Sequence, residues 1–507
     1  MHRRDLLLRG LALALAGCAS EPSPEGVVSS AGAAPDEVPV KASVPVDLRA
    51  RPRHVDPAAS SWPVARPVGT HPAPPLVVAQ GVPPYLEPVA DLATAPPIAS
   101  RSSRPTRLTR VSDARAFARP LSGPDWNNFG PQYTQIQHWS GDGSMLVVRA
   151  LGIAADGANR PHDFYTSLHL LDGRTGAYLR PCIDAALRGL STQWLWSNAV
   201  ADEMLFVEAP RCAIQTFVPS SSTFGVLKVF DGYDALLPEL KGLNESQSDD
   251  GRFIALMLQK DAQWHAVVWD RSLDAFAFVL PVPATFVEHR SSISISPSGA
   301  YVVIGSLDAW PLGATVVPAG ISVFDRASGQ YLRTLGEMHE ATHPMAHGGC
   351  GVDAHGNDVW VHFWGPPRSA LDERCVRSWR LDGSSVGPGR AECEDGIIAG
   401  LDYLTTVARG WVLVSDYPMP TENASWNAFP MRGHVWALRL DGSGATYPIV
   451  PERISHTDHA PGVNGGYWWY PWATPNRSLT QVLFRSGMSI DWSGGVPPEF
   501  HAYLATA

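Results

Sequence analysis

The chain reads as an all-β protein: a seven-bladed β-propeller preceded by a signal peptide and a disordered proline-rich stalk. Three observations predict this. A pair of apolar strands recurs along most of the 507 residues, the second strand of each pair stops at an aspartate, and the joints are Gly/Asn/Asp turns. Short β-rich units at a period near fifty residues are how a ring of radially arranged sheets is written in sequence, because such a ring leaves few strand edges exposed. With 17% charged residues and 18 Trp the chain is too apolar for wholesale disorder. The balance of 49 Asp+Glu against 39 Lys+Arg gives a formal charge of −10. That balance lacks the basic footprint by which proteins hold phosphate backbones, so no nucleic-acid partner is expected.

Residues 1–17 are an address rather than structure. Arg3-Arg4 is followed by an apolar stretch from Leu11 to Ala16 and then Leu15-Ala16-Gly17-Cys18. This resembles a bacterial lipoprotein signal, which implies lipidation of Cys18 and a membrane partner held by the lipid anchor. The apolar run is far short of the roughly 20 residues needed to span a bilayer as a helix. Arg3-Arg4-Asp5-Leu6-Leu7 is similar to a twin-arginine export signal, so export by either the Sec or the twin-arginine route is compatible with it. Ala19 after the cysteine implies, by the same resemblance, an outer-membrane lipoprotein, periplasmic or surface-facing.

Residues 18–110 contain 18 of the 45 prolines and one tryptophan, Trp62. Such a segment cannot bury enough apolar surface to offset its conformational entropy, and it reads as an extended linker. Cysteine usage fits an oxidising compartment. With Cys18 assigned to lipid, Cys182, Cys212, Cys350, Cys375 and Cys393 remain. Of these, Cys375 and Cys393 are the disulfide candidates, because they flank one Gly/Ser-rich hairpin-like stretch, Leu381 to Gly389. With no CxxC pair, a structural zinc site is not expected.

Residues 111–507 carry the repeat. The first strands are Met145-Leu146-Val147-Val148, Met204-Leu205-Phe206-Val207, Phe253-Ile254-Ala255-Leu256, Tyr301-Val302-Val303-Ile304, Val359-Trp360-Val361, Trp411-Val412-Leu413-Val414 and Val482-Leu483-Phe484. The second strands end at Asp172, Asp231, Asp270, Asp325, Asp382 and Asp441, spaced 59, 39, 55, 57 and 59 residues apart. An aspartate at a strand exit accepts hydrogen bonds from turn amides, so these residues are expected to build hairpins rather than a catalytic row. Two sandwich domains would also use such strands, but would not need them to recur at one period.

The run Ile295-Ser296-Pro297-Ser298-Gly299-Ala300-Tyr301 is similar to the repeated strand of TolB-like and WD40-like propellers. The last unit, Pro475-Asn476-Arg477-Ser478 through Val482-Leu483-Phe484-Arg485-Ser486 to His501-Ala502-Tyr503-Leu504, resembles the closing blade of oligogalacturonate lyases. That second resemblance implies a divalent metal held by histidines on the propeller axis. Here, however, the family's His-Pro-His-Pro stretch is replaced by Tyr470-Pro471-Trp472-Ala473, so both imidazoles are missing.

Four histidines are the candidate metal ligands: His289 and His347, each preceding a repeat strand at a similar offset, and His456 and His459 in the segment before the last unit. An imidazole cluster suits zinc or another transition metal. Single histidines bonded to loop carbonyls are the alternative, since carboxylate partners at metal-site spacing are missing. No cofactor is expected on the first reading, and a divalent metal ion on the second. The candidate ligand-binding residues are Tyr467, Trp468, Trp469, Tyr470 and Trp472, rings that could stack on sugars or on peptide aromatics. Strand alternation would send about half of them between blades as packing. No Gly-x-Ser-x-Gly elbow occurs, and the acidic groups Glu392, Glu394 and Asp395, or Asp249-Asp250, read as solvated turns. The expected function is a monomeric, envelope-anchored binding or scaffold module for a glycan or envelope protein. The alternative is a metal-dependent carbohydrate-active enzyme of the propeller lyase type.

Overall fold

The computed structural model describes residues 98–99, 107–112, 128–131, 136–152, 165–183, 194–236, 246–284, 286, 292–306, 308–335, 348–364, 375–384, 389–393, 403–415, 434–444, 446–451, 472–486 and 501–506. They form seven antiparallel sheets in chain order. Blade 1 is Asn128–Gly130, Met145–Gly152, Tyr165–Asp172 and Tyr178–Ile183. Blade 2 is Trp194–Trp196, Met204–Glu208, Ala213–Val218 and Thr223–Val229. Blade 3 is Ala235–Leu236, Phe253–Lys260, Gln263–Asp270 and Ala275–Val282. Blade 4 is Ser292–Ile295, Tyr301–Ser306, Gly320–Asp325 and Tyr331–Leu335, with a small hairpin, Trp310–Leu312 and Thr315–Val317, between its middle strands. Blade 5 is Gly349–Val352, Asp358–Trp364, Cys375–Arg380 and Arg390–Ala391. Blade 6 is Tyr403–Thr405, Trp411–Ser415, His434–Arg439 and Thr446–Pro451.

Blade 7 takes Thr474–Pro475, Gln481–Ser486 and His501–Thr506 from the C-terminal end and Arg107–Arg110 from the other end of the chain. Arg107 pairs with Thr506 and Arg110 with Tyr503, and Ile98–Ala99 adds a further short pairing outside. The stalk boundary at 110 is thus corrected: residues 107–110 belong to the ring. A four-residue strand directly after Pro105 has too little apolar periodicity to stand out from proline-rich sequence, and it forms because the last sheet has an open edge to offer.

Each blade has four strands, whereas the recurring sequence unit shows only two. The recurring pair is the second and third strand of the blade, except in blade 2, where the run that ends at Asp231 is corrected to the fourth strand, Thr223–Val229, and the third is Ala213–Val218. The second strands are continuous apolar runs because both faces of every sheet are covered by neighbouring blades: Leu146, Val147 and Val148, like Val359, Trp360 and Val361, are wholly buried. The first strands, taken by sequence to be those runs, are in fact shorter segments upstream of the polar turns: adjoining them as Ser292–Ile295 does in blade 4, or set further back as Asn128–Gly130 and Ala235–Leu236 are in blades 1 and 3. The turn that links first to second strand needs a left-handed residue, which Gly143, Gly251 and Gly299 supply at φ +72°, +62° and +75°. Apart from Asp231, which follows a fourth strand, the strand-exit aspartates behave as expected. Asp172, Asp270, Asp325, Asp382 and Asp441 each accept a backbone N–H two or three residues on. The Thr175 and Ser328 hydroxyls, with turn amides, hold the Asp172 and Asp325 carboxyls below the usual carboxylate range.

The apolar core lies between blades rather than inside them. Trp194, Trp196, Leu205 and Trp269 belong to one cluster joining blades 1 to 3. Others join blades 3 and 4, 4 and 5, 5 and 6, 6 and 7, and 7 and 1. Every junction also carries a hydrogen bond. In order round the ring these are Trp196 Nε1 to His138 O (3.0 Å), Asn198 N to Gln247 Oε1 (2.9 Å), Asp249 N to Pro297 O (2.8 Å) and Ser298 N to Asp358 Oδ1 (3.3 Å). Thr406 Oγ1 to Cys350 O (2.5 Å), Ala473 N to Ser415 Oγ (3.1 Å) and Thr474 Oγ1 to Ile136 O (3.2 Å) complete the circle.

Two outcomes are expected from this packing. A chain beginning at residue 111 should melt at least about 5 °C below one beginning at residue 90 in a circular-dichroism melt, because the outer strand of blade 7 is lost; equal melting would contradict the closure. His169 is fully buried, and burial pulls its pKa down to about 4. Its unfolded value is about 6.5, so the unfolded chain binds the extra proton between those values. The contribution is intact above pH 6.5 and is lost as pH falls towards 4, at a cost of about 3 kcal/mol. In urea titrations at pH 7.5 and pH 4, His169→Gln should show that much less acid sensitivity than the unaltered chain.

Candidate axial site

The first strands and the turns that follow them converge on a small cavity, and all seven blades line it. Gln137 comes from blade 1, Asn198 from blade 2, Gln247 and Asp249 from blade 3, Pro297 from blade 4, Cys350 from blade 5, Thr406 from blade 6 and Arg477 from blade 7. These positions follow from the repeat. Ser140, Ser197, Ser248, Ser296, Asp353, Ala408 and Asn476 occupy one structural position, the start of the turn, and of the residues after each, Asn198, Asp249, Pro297 and Arg477 line the cavity. The full set of following residues is Gly141, Asn198, Asp249, Pro297, Ala354, Arg409 and Arg477. An equivalent site thus holds small residues in blades 1, 4 and 5, an amide and a carboxylate in blades 2 and 3, and guanidinium groups in blades 6 and 7.

The polar members meet one another. Arg477 Nη2 donates to Asn198 Oδ1, reaching past blade 1 from blade 7 to blade 2. Arg409 Nη1 stands 3.7 Å from Asp249 Oδ2, linking blades 6 and 3, which lie on opposite sides of a seven-membered ring. The Asn198 amide is itself fixed, since its Nδ2 donates to Ser248 O at 2.9 Å. Gln247 is fixed likewise, its Nε2 donating to Trp196 O at 2.5 Å while its Oε1 takes the Asn198 N–H. Burial pulls the Arg477 guanidinium below its ordinary range, and the Asp249 carboxylate partly restores it. Gln137 is different. Its Oε1 accepts from Trp139 N at 3.3 Å, but its buried Nε2 has no protein partner among the described residues. A buried donor left unpaired costs about 1–3 kcal/mol.

The cavity can hold and orient a small polar group: it is lined by the fixed side-chain amides of Asn198 and Gln247, by Gln137 and Thr406, and by Arg477 and Asp249. Sequence reasoning quoted these turns but read them only as turns, and Asp249 in particular is corrected from a solvated turn to an axial residue. Glu392 is corrected too. It is fully buried and receives Ser378 Oγ, Arg390 Nε (2.8 Å) and the Gly442 N–H (2.7 Å), so it joins blade 5 to blade 6; burial pushes its carboxyl up despite those bonds. The missed signal was the register: a polar residue one place after the turn start, repeated in blades 2, 3, 6 and 7.

Of the residues singled out in sequence, His289, His347, His456 and His459, and Tyr467, Trp468, Trp469 and Tyr470, lie outside the described residues, as does Cys18. Among the described residues there is no group of three His, Cys, Asp or Glu able to hold a metal ion. Trp472 is described and is 1% exposed, its ring covered by Arg485 (4.4 Å) and Arg149 (5.6 Å). This ring packs inside the protein rather than presenting a face to solvent. Cys375 and Cys393 are both buried.

The fold and the axial cavity define the class, a seven-bladed β-propeller. No family model and no curated sequence matches the chain. Among solved structures it is similar to an oligogalacturonate lyase in complex with manganese, at 10% identity over 80% of this chain and 94% of that one, with a TM-score of 0.47. An oligogalacturonate lyase from Vibrio parahaemolyticus gives 10% identity over 81% and 96%, TM-score 0.47. TolB from Acinetobacter baumannii gives 13% identity over 56% and 60%, TM-score 0.31. No activity passes to this chain on likeness of that degree.

The cross-axis bond is testable by a double-mutant cycle. Arg477→Met and Asn198→Ala should each destabilise the protein, and the pair should show a coupling of about 1 kcal/mol or more in denaturant titrations. Strict additivity would mean that the two side chains do not meet.

Proposed function

We propose that the protein is an envelope-anchored binding module: a lipid on Cys18 holds it to the membrane, residues up to about 100 act as a spacer, and the propeller holds its ligand at the axial cavity. The observation that carries this reading is a cavity to which every blade contributes, lined by Gln137, Asn198, Gln247 and Arg477. Fixed amides and a guanidinium recognise a ligand by its hydrogen-bond acceptors, as binding sites do with a few convergent polar groups in a concave seat. The ligand class is a glycan or an envelope polypeptide. The ring-rich sequence from Tyr467 to Tyr470, shortly before Arg477 in the chain, supports the glycan, because aromatic faces stack on sugars. Anchoring, the outer-membrane location and export belong to the same proposal and rest on the signal sequence.

Isothermal titration against neutral and acidic oligosaccharides and against envelope polypeptide fractions tests the reading. A ligand should be found whose affinity falls about tenfold or more in Gln137→Leu and in Arg477→Met, the loss expected for one hydrogen bond to a charged or buried group. Binding that is indifferent to both substitutions would move the site off the axis. Cys18→Ser should release the protein from the membrane fraction; retention would remove the anchor from the account.

A further inference from the structure

Blade 5 has an unusual outer edge. Its fourth strand, Arg390–Ala391, is two residues long, whereas the corresponding strands of blades 1, 2 and 3 run to six, seven and eight. Yet this short strand and the residue after it join blade 5 to blade 6. Arg390 Nη2 donates to Leu440 O at 3.0 Å, and Glu392 Oε2 accepts the Gly442 N–H at 2.7 Å. Two ladder pairs, Arg377 with Ala391 and Ser378 with Arg390, are little to hold such a joint.

The register shows what else is there. Beyond Arg377 and Ala391, the Glu392 N–H donates to Val376 O at 2.9 Å, and one step further Cys393 faces Cys375. Hydrogen-bonded and non-hydrogen-bonded pairs alternate along an antiparallel ladder. Val376 and Glu392 make the bonded pair, so the cysteines occupy a non-hydrogen-bonded position, where facing Cα atoms are about 4.5 Å apart. That is within the roughly 4.4–6.8 Å that a disulfide spans. The Cys393 Sγ takes the Val376 N–H at 3.2 Å, a donor that an unbroken ladder would give to the carbonyl of residue 392, and the neighbouring Cys375 helps push the Cys393 thiol's pKa up. Neither side chain is more than 6% exposed. The other described cysteines sit elsewhere: Cys182 contacts Met204 Sδ at 3.8 Å, Cys212 lies in blade 2, and Cys350 is on the first strand of blade 5.

We propose that Cys375 and Cys393 close a cross-strand disulfide that pins the outer strand of blade 5 and, through Arg390 and Glu392, the joint with blade 6. The two thiols give up two protons and two electrons to a disulfide oxidant, protein or low-molecular-weight, which leaves as two thiols. The route is a mixed disulfide on one sulfur, displaced by attack of the other. Because both sulfurs are buried in the finished blade, the exchange takes place while the outer strand is still open.

The test is made on the full-length protein. It is refolded with oxidised glutathione, denatured, treated with iodoacetamide and digested without reductant for mass spectrometry. A peptide containing Cys375 should be linked to one containing Cys393. Dithiothreitol should lower the melting temperature by about 3–5 °C in the unaltered protein and leave that of Cys375→Ala/Cys393→Ala unmoved. Carboxamidomethylation of both residues after oxidation, or linkage of either to a different cysteine, overturns the proposal. So does an equal response to reductant in the double variant. If that variant does not fold, the peptide linkage in the unaltered protein decides the matter alone.

Discussion

Seven sheets can share one axis only if each finds a neighbour on both faces, and the last must find the first. In this protein that condition is met twice at one place. Thr474 of blade 7 bonds to Ile136 O of blade 1, and the outer edge of blade 7 is completed by Arg107–Arg110 from the opposite end of the chain. Closure by both ends converts a series of marginal four-stranded sheets, none with a core of its own, into one structure whose apolar clusters all lie between blades. It also forces the turns after the first strands into a circle, and that circle is the axial cavity. The site is therefore a consequence of closure: open the ring, and Arg477 no longer reaches Asn198.

The ring is visible in the sequence where the physics is repeated and invisible where it is local. Second strands such as Leu146-Val147-Val148 are legible because burial on both faces demands an unbroken apolar run, and third strands because Asp172, Asp270 or Asp441 must end them with an amide-capping turn. First strands are short, as in Trp194–Trp196 or Thr474–Pro475, and merge with their turns. Fourth strands vary from two residues to eight and carry no common mark. Arg107–Arg110 is hidden by its proline-rich surroundings, since its pairing partner lies almost four hundred residues away.

The candidate site was less legible for a related reason. Histidines and clustered aromatics attract attention because their chemistry is conspicuous, whereas Asn198, Gln247 and Arg477 sit in polar turns where such residues are common. Only their shared register makes them a group. Glu392 shows the opposite error: a carboxylate next to other acids suggests solvent, but the fold buries it and supplies Ser378, Arg390 and the Gly442 amide as partners. Buried polar groups such as Glu392, Gln247 and Thr406 are joints between blades.

Amide hydrogen exchange of the intact protein tests the closure most directly. If blade 7 is built from both ends, the amides of residues 107–110 exchange as slowly as those of residues 501–506 and are released together with them as denaturant is raised. Exchange of residues 107–110 at the rate of an unprotected chain, while residues 501–506 stay protected, would contradict the account.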